Sequence, residues 1–154
     1  VCRAGVFYGG ESSTSTGLVA VGSGVVVVND HRSDSTADSF WGFTPTGGVA
    51  RVDHREGTCS VVWTSDVVAP STLPTVSWET GLLYTWTKRP TLWGVPAWYV
   101  TALDVRDGRT AFSVRGGTGR GLETRRSHLT LGPDGAAYVG VVGGIVRARD
   151  AERD

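Results

Sequence analysis

Methionine is absent from the 154 residues, lysine occurs once, at Lys88, and cysteine only twice, at Cys2 and Cys59. The remaining bases are all arginine, which we read as coding bias rather than chemistry. Charge of either sign is not in excess, with fifteen basic and fifteen acidic residues, so no net field draws the chain to nucleic acid or an anionic membrane. Long apolar runs are missing too: the longest surrounds Val25–Val28, far short of a helix that spans a bilayer. No Cys/His spacing suits zinc, and Ser, His and Asp occur only as unordered composition, so neither a metal site nor a catalytic triad is expected. With no methionine and no charged leader ahead of an apolar segment, we expect the chain to begin inside a longer protein, removal of a presequence being the alternative. Cys2 and Cys59 either close one disulfide, which implies an oxidising compartment, or pack as two small buried thiols.

What the chain does have is glycine, 22 of them, in recurring contexts. One short unit occurs three times, as Ser23-Gly24-Val25-Val26-Val27-Val28, Thr80-Gly81-Leu82-Leu83-Tyr84-Thr85 and Asp134-Gly135-Ala136-Ala137-Tyr138-Val139. Each places a turn dipeptide before a run with strand chemistry. A second unit, Val52-Asp53-His54-Arg55-Glu56-Gly57, is echoed by Leu103-Asp104-Val105-Arg106-Asp107-Gly108, each leading into a further strand. The order is strands A, B, C and D with a period of about fifty residues. Repeat one uses 17–22, 25–30, 49–54 and 60–64. Repeat two uses 73–78, 82–87, 98–105 and 110–115. Repeat three has 128–131, 136–141 and 144–149, then stops.

No window carries a helical period. The expected fold is therefore all-β and β-propeller-like, with about two and a half to three four-stranded antiparallel blades. It forms one partial propeller domain over 1–154, with repeats near 17–64, 73–115 and 127–150. The strand-like run in 1–8 is a candidate for the outer strand of a closing blade. Otherwise the open blade edges invite pairing with another copy.

The run Ala102-Leu103-Asp104-Val105-Arg106-Asp107-Gly108-Arg109-Thr110-Ala111-Phe112 resembles the tryptophan-docking motif of PQQ-like (quinoprotein alcohol dehydrogenase-like) propellers, Ala-x-Asp-x-x-Thr-Gly-Lys-x-x-Trp. Asp107, Arg109 and Phe112 stand where Thr, Lys and Trp are usual. A stretched copy runs from Val52-Asp53 to Trp63, and a third begins at Ala148-Arg149-Asp150. The resemblance implies a fold in which the Asp and Gly build the C–D turn and the aromatic packs on a neighbouring blade. It implies little about function, because the motif is structural. Members of the methanol dehydrogenase type hold PQQ with adjacent cysteines, a stacking Trp and calcium. This chain has no adjacent cysteines, so no cofactor is expected unless missing blades supply a site for PQQ and calcium.

In a propeller the B–C and D–A connections share one face and the A–B and C–D turns the other. The long connections here, 30–48, 65–72, 88–97 and 116–127, therefore mark the face expected to carry function. Asp30-His31-Arg32 opens one of them, whereas Asp53-His54-Arg55 falls at a C–D turn, where Asp53 has a turn role. Asp30 and His31 are candidate ligands or an acid/base pair, against solvated loop groups. Trp41 and Trp93, with Lys88 and Arg89 nearby, offer the aromatic and basic surface that a glycan, small molecule or peptide requires. Trp98 is expected to fold back over a blade edge, and Trp63, Trp78 and Trp86 to pack on strands. His128 heads an inner strand near the channel mouth. The run Gly116–Gly121 lacks the Lys-Ser/Thr ending of a phosphate loop and opens no helix, so it is expected to be a flexible connection.

The resulting expectation is a non-catalytic module, secreted or in the cell envelope, that binds a small ligand, glycan or protein on its long-loop face. The alternatives are an enzyme, either a quinoprotein-like oxidoreductase or a hydrolase or lyase using Asp30 and His31, and an assembly unit pairing through exposed blade edges. Neither nucleic acid nor a membrane span is expected.

Overall fold

A computed structural model describes residues 1–6, 17–28, 48–69, 72–124 and 127–149. Among them the protein is all-β, with three four-stranded sheets and a single 3₁₀ turn at Arg120–Leu122. The first sheet is β1 (Gly17–Val21), β2 (Gly24–Val28), β3 (Val49–Arg55) and β4 (Thr58–Ser65), in that order and antiparallel throughout. Next come β5 (Thr72–Leu73), β6 (Thr75–Ser77), β7 (Leu82–Arg89), β8 (Ala97–Asp104) and β9 (Thr110–Thr118). Of these, β6 to β9 form the second sheet. The third is β10 (Ser127–Leu131), β11 (Ala137–Val141) and β12 (Gly144–Ala148), with β5 beside β10.

Two hydrophobic layers join the sheets. Between the first and second lie Val21, Val26, Val49, Trp63, Leu83, Leu103 and Val105. Between the second and third lie Trp86, Trp98, Val100, Leu129, Ala137 and Val139. The middle sheet is thus covered on both faces, which is why β7 and β8 read as near-continuous apolar and threonine runs rather than strict alternation. The strands at the inner margin, β1, β5, β6 and β10, contact one another across the three sheets.

One expected strand is two. The run 73–78 divides at Pro74, which has no N–H to give to a ladder. Thr72–Leu73 pairs in parallel with Ser127–His128, while Thr75–Ser77 pairs antiparallel with β7. The Thr75 hydroxyl donates to the Leu129 carbonyl and fastens the divided run to the third sheet. Trp78, expected to pack on a strand, lies instead in the β6–β7 turn and is 68% exposed. Gly116–Thr118, expected within a flexible connection, is the end of β9. Its register shifts at Gly116, and a Cβ there would lie 2.3 Å from the Trp86 ring.

The first two sheets are locked through the Asp104–Thr110 turn. Trp63, on β4, lies against Gly108, where an added Cβ would come within 2.5 Å of the ring. Its indole N–H donates to the Val105 carbonyl at 2.8 Å, and Arg51 Nη1 donates to the same oxygen at 3.0 Å. Arg51 also grips Asp53 with two bonds, at 2.7 and 2.9 Å. Asp53 does more than shape a turn, because it is buried and joins β3 to the β1–β2 turn through Ser23.

Cys2 and Cys59 form a disulfide, with Cα atoms 5.5 Å apart. It holds the amino-terminal segment to β4, the outer strand of the first sheet. Residues 1–6 carry no strand, so this part of the expected closing strand is a tethered extension, and residues 7 and 8 lie outside the described residues.

The short turns carry paired carboxylates. Arg106 holds Asp104 through its guanidinium and its backbone N–H, which lowers the carboxyl pKa to about 2. Asp134 is lowered by Arg147 and by the Ala136 N–H, and Asp53 by Arg51, whose bonds outweigh the cost of burial. All three are depressed relative to the unfolded chain. Their contribution is therefore complete above the unfolded carboxylate range, about pH 4, and is lost as pH falls toward 2. Thermal melts between pH 5 and 2 should show a progressive fall in Tm, and Asp104→Asn should make that fall shallower. An unchanged slope in the variant would remove Asp104 from the account.

Candidate functional site

At the end of the second sheet that carries the longer connections, β7 and β8 continue into a hairpin loop from Pro90 to Pro96. The loop is internally braced. The Thr91 hydroxyl donates to the Val95 carbonyl at 2.6 Å, and Gly94 N–H donates to the Thr91 carbonyl at 3.1 Å, closing a turn with Gly94 at φ 70°. At its base Gly119 N–H donates to the Pro96 carbonyl at 2.9 Å. The two central residues of that turn, Leu92 and Trp93, are 100% and 90% exposed. Pro90, Thr91, Leu92 and Trp93 line a shallow surface depression on the tip.

Beneath the tip, one face of the sheet is polar. The Arg89 guanidinium lies over the Tyr99 ring, 4.5 Å from its centroid, and donates to Ser113 Oγ at 3.1 Å. Tyr99 stands opposite Arg115 in the ladder. From Ser113 a row of hydroxyls runs inward, with Ser113–Thr101 at 2.9 Å and Thr101–Thr87 at 2.6 Å. Thr85 Oγ, next in line and buried, has no hydrogen-bond partner among the described residues. Thr87 and Thr101 are also buried, so only Ser113, Tyr99, Arg89 and Arg115 of this row meet solvent.

The opposite face of the same strands is a tryptophan pillar. Trp86 and Trp98 stack with centroids 6.1 Å apart and planes 11° from parallel. Trp86 Nε1 donates to the Leu122 carbonyl and Trp98 Nε1 to the Gly119 carbonyl, each at 2.9 Å. Buried aromatics with satisfied indole N–H groups hold the 119–122 segment beside the hairpin. The hairpin base is thereby tied to that segment, which the Gly119–Pro96 bond also holds.

Of the residues singled out in the sequence, Trp93 and Arg89 come together at this end. Lys88 is also in β7 but is buried, with its ammonium 5.7 Å from the Trp98 ring centroid. Trp98, expected to fold back over a blade edge, is instead a residue of β8 buried between the second and third sheets, with its indole N–H on the Gly119 carbonyl. His128 is exposed on β10 opposite Leu73, in the third sheet and apart from this cluster. Asp30, His31 and Trp41 lie outside the described residues. Leu92, Tyr99, Ser113 and Arg115 were not singled out. The two prolines that bracket 90–96 were the available signal for a stiff hairpin whose central side chains project.

No protein-family model matches the chain, and a search of curated proteins finds no relative. The site must therefore be judged on its own chemistry. The residues present do not fit a PQQ pocket of the methanol dehydrogenase type: the two cysteines are 57 positions apart and bonded to each other. No group of three His, Cys, Asp or Glu residues gathers among the described residues. The exposed set comprises an indole, an isobutyl group, a phenol, a hydroxyl and guanidinium groups. It offers stacking, apolar contact and hydrogen-bond donors, which are the means of binding.

Proposed function

We propose that the protein is a non-catalytic, propeller-like binding module that engages its ligand, a glycan, small molecule or protein, through the end bearing the 90–96 hairpin. The observation that carries this reading is the exposure of Leu92 and Trp93 on a braced turn. A fold gains nothing in its own stability from projecting two large apolar side chains, and aromatic groups in such positions recur as anchors at interfaces. Arg89, Tyr99 and Ser113 supply oriented polar groups beside them. The propeller reading is supported by the recurrent A–B–C–D strand order, by inner strands that meet, and by the docking of Trp63 on the next sheet's turn. The disulfide supports a secreted or cell-envelope location, since oxidising compartments are where such bonds persist.

The test is a screen on immobilised saccharides and on a metabolite panel, followed by titration of the best binder against Trp93→Ala and Leu92→Ala. Each variant should keep its melting temperature, because exposed substitutions typically change stability within about 0.5 kcal/mol. Trp93→Ala should weaken binding by roughly 30-fold or more, the loss expected of an anchor residue. Wild-type affinity in both variants would dispose of this site.

A further inference from the structure

The three sheets differ in how their outer margins are finished. In the first, the β3–β4 ladder shifts register between Arg51 and Val52, leaving Val62 of β4 as an extra residue. The disulfide also lays the amino-terminal segment on that strand. In the second, the β8–β9 ladder shifts twice, at Ala111 and Gly116 of β9. Bulges of this kind twist an edge strand out of the flat geometry that another strand needs. The third sheet ends on β12, whose ladder with β11 runs from Ala137–Ala148 to Val141–Gly144 without a shift. β12 holds no proline and no lysine. Its one charge, Arg147, is turned back onto its own sheet by Asp134 at 2.7 Å and by the Tyr138 hydroxyl at 3.0 Å. Among the described residues no strand covers it, and Ile145 is 77% exposed.

We propose that β12 pairs antiparallel with β12 of a second copy, making a two-fold dimer whose third sheets run on as one eight-stranded sheet. The turn at Val142–Gly143 has two residues, so Val141 and Gly144 exchange hydrogen bonds, and the alternation then assigns Val146 and Ala148 to β11. The N–H and C=O groups of Ile145 and Arg147 are left facing outward. In a two-fold arrangement Ile145 stands opposite Arg147 of the second copy, and Val146 opposite its own equivalent. That register forms four backbone hydrogen bonds. It also sets Ile145 against the aliphatic stem of the arginine.

On the core-facing side, Val146 packs against the layer between the second and third sheets, and Ala148, two residues on, lines a cavity of about 140 Å³ with Tyr84, Phe112, Val114 and Leu131. The second copy's Val146 extends this apolar surface across the two-fold. A second copy suits the edge because the strand is self-complementary: small or apolar at 144, 146 and 148, with one isoleucine and one arginine exchanging places.

Sedimentation velocity on the 154-residue chain from about 1 to 100 μM is the test, a range in which affinities of −6 to −8 kcal/mol are read out. The wild type should shift from monomer to dimer. Ile145→Pro removes an outward N–H, and Ile145→Lys places a cation opposite the arginine; both should remain monomeric with wild-type circular dichroism. Val62→Lys on the bulged β4 edge, an exposed position far from this surface in the ladder order, should leave dimerisation unchanged. Val146→Cys should form an intermolecular disulfide on oxidation, since directly opposed residues at a non-hydrogen-bonded position have Cα atoms about 4.5 Å apart, within the reach of a disulfide. A wild type that stays monomeric at 100 μM would overturn the proposal. So would a dimer that survives Ile145→Pro and Ile145→Lys while losing association in Val62→Lys. The hairpin reading is independent of this outcome.

Discussion

Trp63→Ala should cost about 3–5 kcal/mol of unfolding free energy, the range for deleting a buried tryptophan. For a domain of this size that is a fall in Tm of roughly 6–20 °C. The ring is buried between two sheets, its N–H satisfies the Val105 carbonyl, and its face lies against Gly108. Truncation removes all three relations at once. Gly108→Ala attacks the same contact from the other side. Its Cβ would fall 2.5 Å from Trp63 Cε3, and its φ of +73° is strained for any residue with a side chain. In the Trp63→Ala background the collision disappears, so Gly108→Ala should then cost only the backbone strain, about 1–2 kcal/mol. Urea unfolding of the four proteins measures that coupling. Equal midpoints for wild type and Trp63→Ala would show that the joint between the first two sheets lies elsewhere.

The disulfide should account for the second large effect. It closes a loop with a sequence separation of 57, for which the chain-entropy account gives about 4 kcal/mol. The double variant Cys2→Ser/Cys59→Ser and the reduced, alkylated wild type should unfold at similar urea concentrations, both well below the oxidised protein. The double variant avoids the stray thiol of either single change. Coincident midpoints for oxidised and reduced protein would mean that the amino-terminal tether constrains nothing that unfolding releases.

Strand positions were legible in the sequence because turn chemistry and apolar runs alternate so regularly. The unit Asp134–Val139, a turn dipeptide ahead of an apolar run, pointed to strands at 136–141 and 144–149, and β11 and β12 lie within a residue of those bounds. The reasons behind individual glycines were less legible. Gly81 and Gly135 have positive φ, as their turns require, but Gly24 does not. Gly24 is there because a Cβ would strike the Val52 carbonyl and Asp53 at 2.3 Å, a contact created only when β2 and β3 meet. Nothing local in Cys2 or Cys59 announces their pairing, because bonding reach depends on where β4 passes the amino terminus. Likewise Lys88 and Arg89 are adjacent in sequence but point to opposite faces of β7, one into the tryptophan pillar and the other toward Tyr99. A strand's period of two separates neighbours that a sequence motif joins. In the candidate site, Trp93 and Arg89 were visible as types. Leu92 was not, since an isolated leucine is ordinary until its exposure is known.

The division at Pro74 bears on how such a chain can change. Six residues, Thr72–Ser77, serve two masters: the first two complete one sheet and the last three begin another. The boundary between the second and third repeats is thus a splice, and the units cannot be shuffled like beads on a string. Excising or duplicating either would strand half of that run without its ladder. Insertions should accumulate instead at the outward hairpins, where a lengthened loop disturbs only its own turn.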